Sequence, residues 1–257
     1  MAKSIVGSLR FKKQEGFDYH EFAKLVETAY ESTKRDGTGT LKKTFSPSTI
    51  GYGHGNCPRY WFIAFNGADF EDTFDAGAIA NMMNGTYAHE RLQKIIAMTG
   101  VLKEEEREIL NDDPPIRGFA DLIIEWDGKE VVGEIKTTKE EQYLIKQASM
   151  KASGNHLLQI LTYMKVTGAD QGFLMYENKN TQEICIIPVN MNERNQKLID
   201  DTFDWMREVY KAYTEDTLPT RSYTKSVYAC KNCPVKTKCW KEMEDGVITI
   251  EAMVAPK

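Results

Sequence analysis

The chain has 257 residues, 41% of them hydrophobic, and a formal net charge of −5. That length supports one sizeable core, or a core with a small appended module, and the negative balance argues against a generally basic nucleic-acid coat protein. No run approaches the roughly 18 apolar residues needed to span a bilayer, and the N-terminus lacks the apolar segment of a secretory signal, so a cytoplasmic protein with no membrane contact is expected. Five cysteines, an odd number, fit a disulfide framework poorly and thiol or metal chemistry better.

Residues 1–16 are mixed and basic, without periodicity. Asp18 followed by Glu21 resembles a capping box, and Phe22, Leu25, Val26, Ala29 and Tyr30 recur at helical spacing, which predicts a helix over about 18–34. Gly, Thr and Ser mark residues 35–56 as a loop. It ends at Cys57-Pro58-Arg59-Tyr60-Trp61, where Pro58 suits the first turn of a helix and Trp61, Phe62 and Phe65 give that helix an apolar face. Asn84 to Glu90 opens another helix, with Ala88, Leu92, Ile95 and Ile96 as its stripe. His89 lies on the margin of the stripe, a place that suits a boundary residue as well as a ligand. Residues 103–115 are acidic, end in Pro114-Pro115 and read as a connector.

Gly118 to Lys139 carries two β-type runs around Asp127-Gly128, a strong two-residue hairpin signal. With that turn, Trp126 pairs with Lys129, and Asp121 falls opposite Glu134, with Cβ atoms roughly 4.5–5.5 Å apart. Alternation puts Lys136 on the face of Glu134. The other face, with Ala120, Leu122, Ile124, Trp126, Val131 and Ile135, reads as core. Two carboxylates that close repel each other unless a positive group intervenes, and a divalent cation with oxygen ligands is the natural solution. The pattern by itself equally fits an ordinary hairpin with one solvated face.

Thr138 with Glu141 resembles another capping box, opening a helix to about residue 151. Gly154-Asn155 breaks it, and His156 to Val166 forms a further helix, on which Gln159 and Tyr163, four apart, share a face. Strands follow over 172–177 and 183–189, with Cys185 inside the second as a core residue. Residues 192–213 form an amphipathic helix with Leu198, Phe203, Met206, Val209 and Tyr210. Residues 221–241 then hold six basic side chains and no acidic one, leaving 27 basic against 38 acidic, or −11, elsewhere. With Tyr223, Tyr228 and Trp240 interleaved, this stretch fits either a strand-tracking surface or a solvated one.

Cys230, Cys233 and Cys239 form C-x2-C-x5-C, a strong ligand pattern that leaves one position open, for which Cys57 is the obvious candidate. Four cysteines hold either zinc or an iron–sulfur cluster. A lone cysteine far upstream of a compact triple favours the cluster over paired zinc knuckles.

These elements, in order, resemble the PD-(D/E)XK nuclease superfamily in its RecB-like branch, and more narrowly the iron–sulfur exonucleases related to the CRISPR-adaptation nucleases and to AddB. The elements are Cys57-Pro58-Arg59, Gly85 to His89, Gly118-Phe119-Ala120-Asp121, Glu134-Ile135-Lys136, Gln159 with Tyr163, and the terminal cysteines; Ala120 replaces the proline that names the superfamily. The resemblance implies an α/β (α+β) fold with a mixed central β-sheet flanked by helices, a restriction-endonuclease-like core, and a cysteine-liganded module joining the N- and C-terminal regions. The expected parts are a helical region over 1–100, a nuclease core over 101–190, and a C-terminal helix with the cysteine module over 191–257. It implies that Asp121 and Glu134 bind Mg²⁺ or Mn²⁺, with His89 and the Ile135 carbonyl as further ligands. Lys136 would position or activate the attacking water, Gln159 and Tyr163 would border the site, and Cys57, Cys230, Cys233 and Cys239 would hold a [4Fe–4S] cluster, or structural Zn²⁺. The implied activity is metal-dependent exonucleolytic hydrolysis of single-stranded DNA or DNA ends in recombination, repair or phage DNA metabolism, with recombination or replication proteins as partners. The alternatives are a non-catalytic DNA- or partner-binding module on the same fold, and a structure-specific endonuclease.

Overall fold

A computed structural model of the protein describes residues 17–33, 42–71 and 74–256. The basic stretch 1–16 and the first part of the expected loop lie outside the described residues. Of the described residues, 17–33 and 74–83 form one compact unit, and 42–71 and 84–256 the other. In the smaller unit helix α1 (Tyr19–Ser32) starts where the sequence places it, because Asp18 Oδ1 accepts hydrogen bonds from the His20 and Glu21 N–H groups at 3.1 and 3.0 Å. That satisfies two donors the first turn otherwise leaves open.

The larger unit is built on a five-stranded sheet in the order β1-β2-β3-β4-β5. Strands β1 (Leu102–Asn111), β2 (Ile116–Trp126) and β3 (Lys129–Thr138) form an antiparallel meander. Helices α4 (Glu140–Ser149) and α5 (Gly154–Thr167) carry the chain across to β4 (Gln171–Asn178), parallel to β3, and β5 (Ile184–Asn190) returns antiparallel. Helix α6 (Glu193–Thr214) follows, capped by the Asn192 side chain. Asp127 and Gly128 both take positive φ (48° and 73°), the twist a two-residue hairpin needs, and Trp126 pairs with Lys129 as the sequence predicts.

Four expectations need correction. The acidic connector at 103–115 is in large part strand β1. Its charges hid it: only Ile109 is buried, and the rest form an edge strand whose Lys103 and Arg107 pair with Glu130 on β3 at 2.7 and 2.8 Å. Charged edges of this kind resist pairing with other chains. The helix expected from Asn84 begins earlier, as α3 (Ala76–Ala97), where Asp75 Oδ1 accepts the Ala78 N–H at 2.8 Å. Trp126 is not core; it sits at the turn and is 58% exposed. Nor is the Asp121–Glu134 face solvated, since both sides of the sheet are covered.

On one side, Leu92 and Ile96 of α3 pack on Leu122, Val131, Ile135, Phe173 and Met175. On the other, the larger core joins Ile123, Val132 and Leu174 of the sheet to Leu158, Leu161 and Met164 of α5, Ile199, Phe203 and Met206 of α6, and helix α2 (Pro58–Phe65). Every residue of α2 is buried. Trp61 is fully buried and donates its indole N–H to the Gly55 carbonyl at 2.8 Å, so its burial leaves no polar group unpaired. Cys185 lies in this core, as expected. Among the described residues no helix is long and apolar enough to cross a membrane.

Candidate active site

The site sits where β2 and β3 part. Their pairing runs from Trp126↔Lys129 to Leu122↔Gly133, so the same register sets Asp121 level with Glu134 one step beyond the last pair. There the Asp121 side chain enters the gap, and its Oδ2 accepts the Ile135 N–H at 2.7 Å. Asp121 and Glu134 are buried, at 6% and 2% exposure. One oxygen of Glu134, Oε1, accepts from Lys136 Nζ and from Gln159 Nε2, both at 2.6 Å. Gln159 also donates to the Tyr163 hydroxyl at 3.2 Å, the side-by-side placement that four-residue spacing on α5 gives. The other oxygen, Oε2, is buried with no hydrogen-bond partner.

His89, on α3, brings Nδ1 to 3.5 Å from Asp121 Oδ1. Burial pushes its pKa down, but its hydrogen bond with Asp121 and the Asp121 charge outweigh that and leave it raised. Burial raises the pKa of Glu134, and the Asp121 charge adds to the effect, while Lys136 opposes it. The cleft in front has a volume of about 490 Å³ and is lined by Asp121, Glu134, Lys136, Gln159 and Tyr163, and across from them by Thr44, Ser46, Pro47 and Ser48. Arg117, Gly118 and Phe119 complete it, the Arg117 guanidinium lying 5.7 Å from the centre of the Phe119 ring. Gly118 fits closely here: a Cβ would meet the Pro47 and Tyr163 side chains at 3.0 Å, and one of them would have to give.

The residues fit a divalent cation. A buried carboxylate oxygen without a hydrogen bond is costly in a low-dielectric site, and Oε2 of Glu134 is such an atom beside a second carboxylate. Hard oxygen donors with one imidazole suit Mg²⁺ or Mn²⁺.

The four expected cysteines are free thiols and lie together, away from the cleft. Cys57 lies near Cys230 and Cys239, and Cys233 near all three of the others. Burial pushes Cys57 up to about 11 and Cys233 to about 12, although the Arg59 and Tyr60 backbone N–H groups point at the Cys57 sulfur. Arg59, 1% exposed, donates Nε to Cys239 Sγ at 3.2 Å. The four thiols are half-buried and gathered near the buried Arg59 guanidinium.

Some site residues were out of reach of pattern reading. The Thr44–Ser48 wall comes from the loop, placed by Phe45, which bridges to Ile116 and is fully buried. Glu106, within 4.8 Å of the ligand atoms of His89 and Asp121, belongs to the strand read as a connector. Gln93 spans the two strands, donating to Glu106 Oε1 at 2.8 Å and to the Asp121 carbonyl at 3.1 Å.

Among solved structures, the chain is similar to the alkaline exonuclease LHK-Exo from Laribacter hongkongensis in complex with dAMP, with a TM-score of 0.50 and 14% identity over 75% of this chain and 93% of that one. It is also similar to SSO0001 (TM-score 0.45, 17% identity, 90% and 100% covered) and to a phage-related exonuclease from Haemophilus somnus 129PT (0.42, 14%, 61% and 79%). At these identities the likeness is one of fold. No curated protein matches the sequence. Residues 80–240, more than half of the chain, match the family model of the PD-(D/E)XK nuclease superfamily. With the sheet, the parted hairpin and its acidic pair in the matched stretch, the chain belongs to the PD-(D/E)XK nuclease superfamily.

Proposed function

We propose that this protein is a divalent-metal-dependent DNA exonuclease acting on single strands or free ends, within the RecB-like, iron–sulfur branch of its superfamily. The observation that carries the reading is the buried, unpartnered Oε2 of Glu134 beside Asp121 and Lys136. Asp121 and Glu134 would hold the cation, with His89 and the Ile135 carbonyl beside them. Bound Mg²⁺ or Mn²⁺ supplies charge neutralisation at the scissile phosphate and a more acidic water.

The chain's own groups set up the rest. Gln159 and Lys136 both occupy Oε1 of Glu134, which leaves Oε2 for the cation. Tyr163 holds the Gln159 amide in place. Lys136 is half-buried, and its remaining N–H groups are available to the attacking water or to a phosphate oxygen. The hydroxyls of Thr44, Ser46 and Ser48 suit backbone phosphates across the cleft. Phe119, 45% exposed at the rim, offers a ring to an unpaired base, which supports a single-stranded substrate. Cys57, Cys230, Cys233 and Cys239 would hold the [4Fe–4S] cluster, zinc being the alternative occupant.

Cleavage of end-labelled linear and closed circular single-stranded DNA, with Mn²⁺, Mg²⁺ or chelator, tests the reading. Expected are metal-dependent release of nucleotides from the linear strand and an untouched circle. Asp121→Asn and Lys136→Met each lower the rate by about 10²-fold or more. Cutting of the circle assigns an endonuclease instead. Binding of DNA without cleavage under any divalent ion assigns a non-catalytic module.

A further inference from the structure

We propose that His156 is a substrate-binding residue, donating its Nε2–H to a phosphate oxygen of the DNA strand next to the scissile linkage. This rests on the reading of the cleft as a nuclease site. His156 opens the face of α5 that lines the cleft: it stands three residues before Gln159 and seven before Tyr163, the spacing that stacks side chains on one side of a helix. Lys136, on β3, is near enough for its charge to act on the imidazole, and Tyr176 is the β4 partner of Lys136. The His156 side chain is half-buried. Its Nδ1 is taken by the Tyr176 hydroxyl at 2.8 Å, whereas its Nε2 has no partner among the described residues and is not shut away from solvent.

The proton of this imidazole is placed by a buried cation on another helix. Lys146 of α4 is 8% exposed and has no carboxylate partner among the described residues. Its ammonium lies 4.7 Å from the centre of the Tyr176 ring and donates to Ser153 Oγ at 2.7 Å. An ammonium has no lone pair, so the Ser153 oxygen accepts and its own O–H is left to donate. The Ser153 N–H donates to the Tyr176 oxygen at 3.3 Å, and the Ser153 side chain bonds to the same oxygen. With both lone pairs taken, the Tyr176 hydroxyl donates in turn, and its acceptor is His156 Nδ1. The hydrogen of the neutral ring is therefore on Nε2. Burial and the charges of Lys136 and Lys146 hold the imidazole pKa down to about 3, which keeps the ring neutral. A relay begun by a cation polarises each donor along it. It ends in an uncharged N–H beside Lys136, able to fix the strand by a phosphate without setting a second positive charge against that lysine.

Steady-state cleavage of linear single strands by the intact protein tests the assignment, with oligonucleotides in which one phosphate at a time near the end is a neutral methylphosphonate. His156→Ala is expected to raise KM by about 10- to 100-fold, the range for a hydrogen bond to a charged group, with kcat nearly unchanged. His156→Gln, which keeps a neutral N–H donor, should recover most of that loss. His156→Phe, which keeps a ring and loses both nitrogens, should behave as His156→Ala does and guards against unfolding at the start of α5. Tyr176→Phe, which frees Nδ1 to carry the proton, should give a smaller rise in KM. In the wild type a methylphosphonate at one position should cost a factor like that of His156→Ala, and in His156→Ala it should cost little more, because the contact is already gone. Losses that multiply at every position, or a His156→Ala with the wild-type KM, overturn the proposal and leave the cleft a nuclease site. A wild type that cleaves no DNA overturns that underlying reading as well.

Discussion

Glu134 is held where its ionised form is disfavoured from several directions. Burial and the Asp121 charge raise its pKa from 4.5 to about 7, and its Oε2 lacks a hydrogen bond, while Lys136 offsets only part of the effect. The folded protein therefore binds this proton more tightly than the unfolded chain, so the stability tied to it is full below 4.5 and is lost as pH rises toward 7. Replacing the carboxylate by an amide removes that dependence. In chelator-containing buffer, Glu134→Gln is expected to match the wild type near the low end of this window. At alkaline pH it should be more stable, by up to a few kcal/mol, because the amide never has to ionise in this site, a pKa shift of one unit being about 1.4 kcal/mol. Thermal melts at the two pH values check this, and a variant that loses stability at alkaline pH refutes it. Asp121, Glu134 and Lys136 were legible in the sequence because a two-residue turn fixes the register of everything that follows it. The position of Glu106 beside His89 and Asp121 was not, because nothing in a run of charges announces which one stands next to the site.

At the scale of the element, the β2–β3 hairpin must be ordered right up to the point where it parts. Gly133, in the last pair before the gap, makes this possible: a Cβ there would lie 2.3 Å from the ring of Phe173, its partner on β4. The ring covers the glycine in the smaller core, between α3 and the sheet. Gly133→Ala is expected to cost about 1–3 kcal/mol through overpacking and, by pushing β3 against its neighbours, to lower cleavage as well. Denaturant unfolding measures the first and the linear-strand assay the second. Pairing Gly133→Ala with Phe173→Leu should recover much of the stability, and failure of that rescue locates the strain elsewhere. The helices and strands with apolar periodicity, such as α5 and α6, were read from the sequence to within a few residues. Strand β1 was missed because an edge strand stabilised by cross-strand ion pairs, Lys103 and Arg107 with Glu130, lacks the alternation by which strands are recognised.

At the scale of the whole molecule, a metal group held by the four cysteines, as proposed, would tie distant parts of the chain together. Cys57 stands at the start of α2, every residue of which is buried, and the other three lie beyond α6, so a ligated group closes a loop of roughly 170 residues that contains the entire sheet. The pull is reinforced by Arg59, which reaches from α2 to Cys239 and to the Pro219 carbonyl at 2.7 Å, and by Glu71, whose backbone N–H donates to the Pro234 carbonyl at 2.7 Å. A cross-link of this span contributes about 2–5 kcal/mol by restricting the unfolded chain, and the binding energy of the group adds to the folding energy. Cys57→Ser is therefore expected to lower the melting temperature of anaerobically purified protein by roughly 5–15 °C and to remove the broad visible absorption near about 400 nm that a cysteine-ligated cluster gives. Cys185→Ser, in the core and apart from the four, should leave the absorption intact even where it lowers stability through a buried hydroxyl. A wild-type protein that is colourless and holds stoichiometric zinc keeps the tie and changes its occupant. A Cys57→Ser variant that melts with the wild type shows that the N- and C-terminal regions are joined by packing alone.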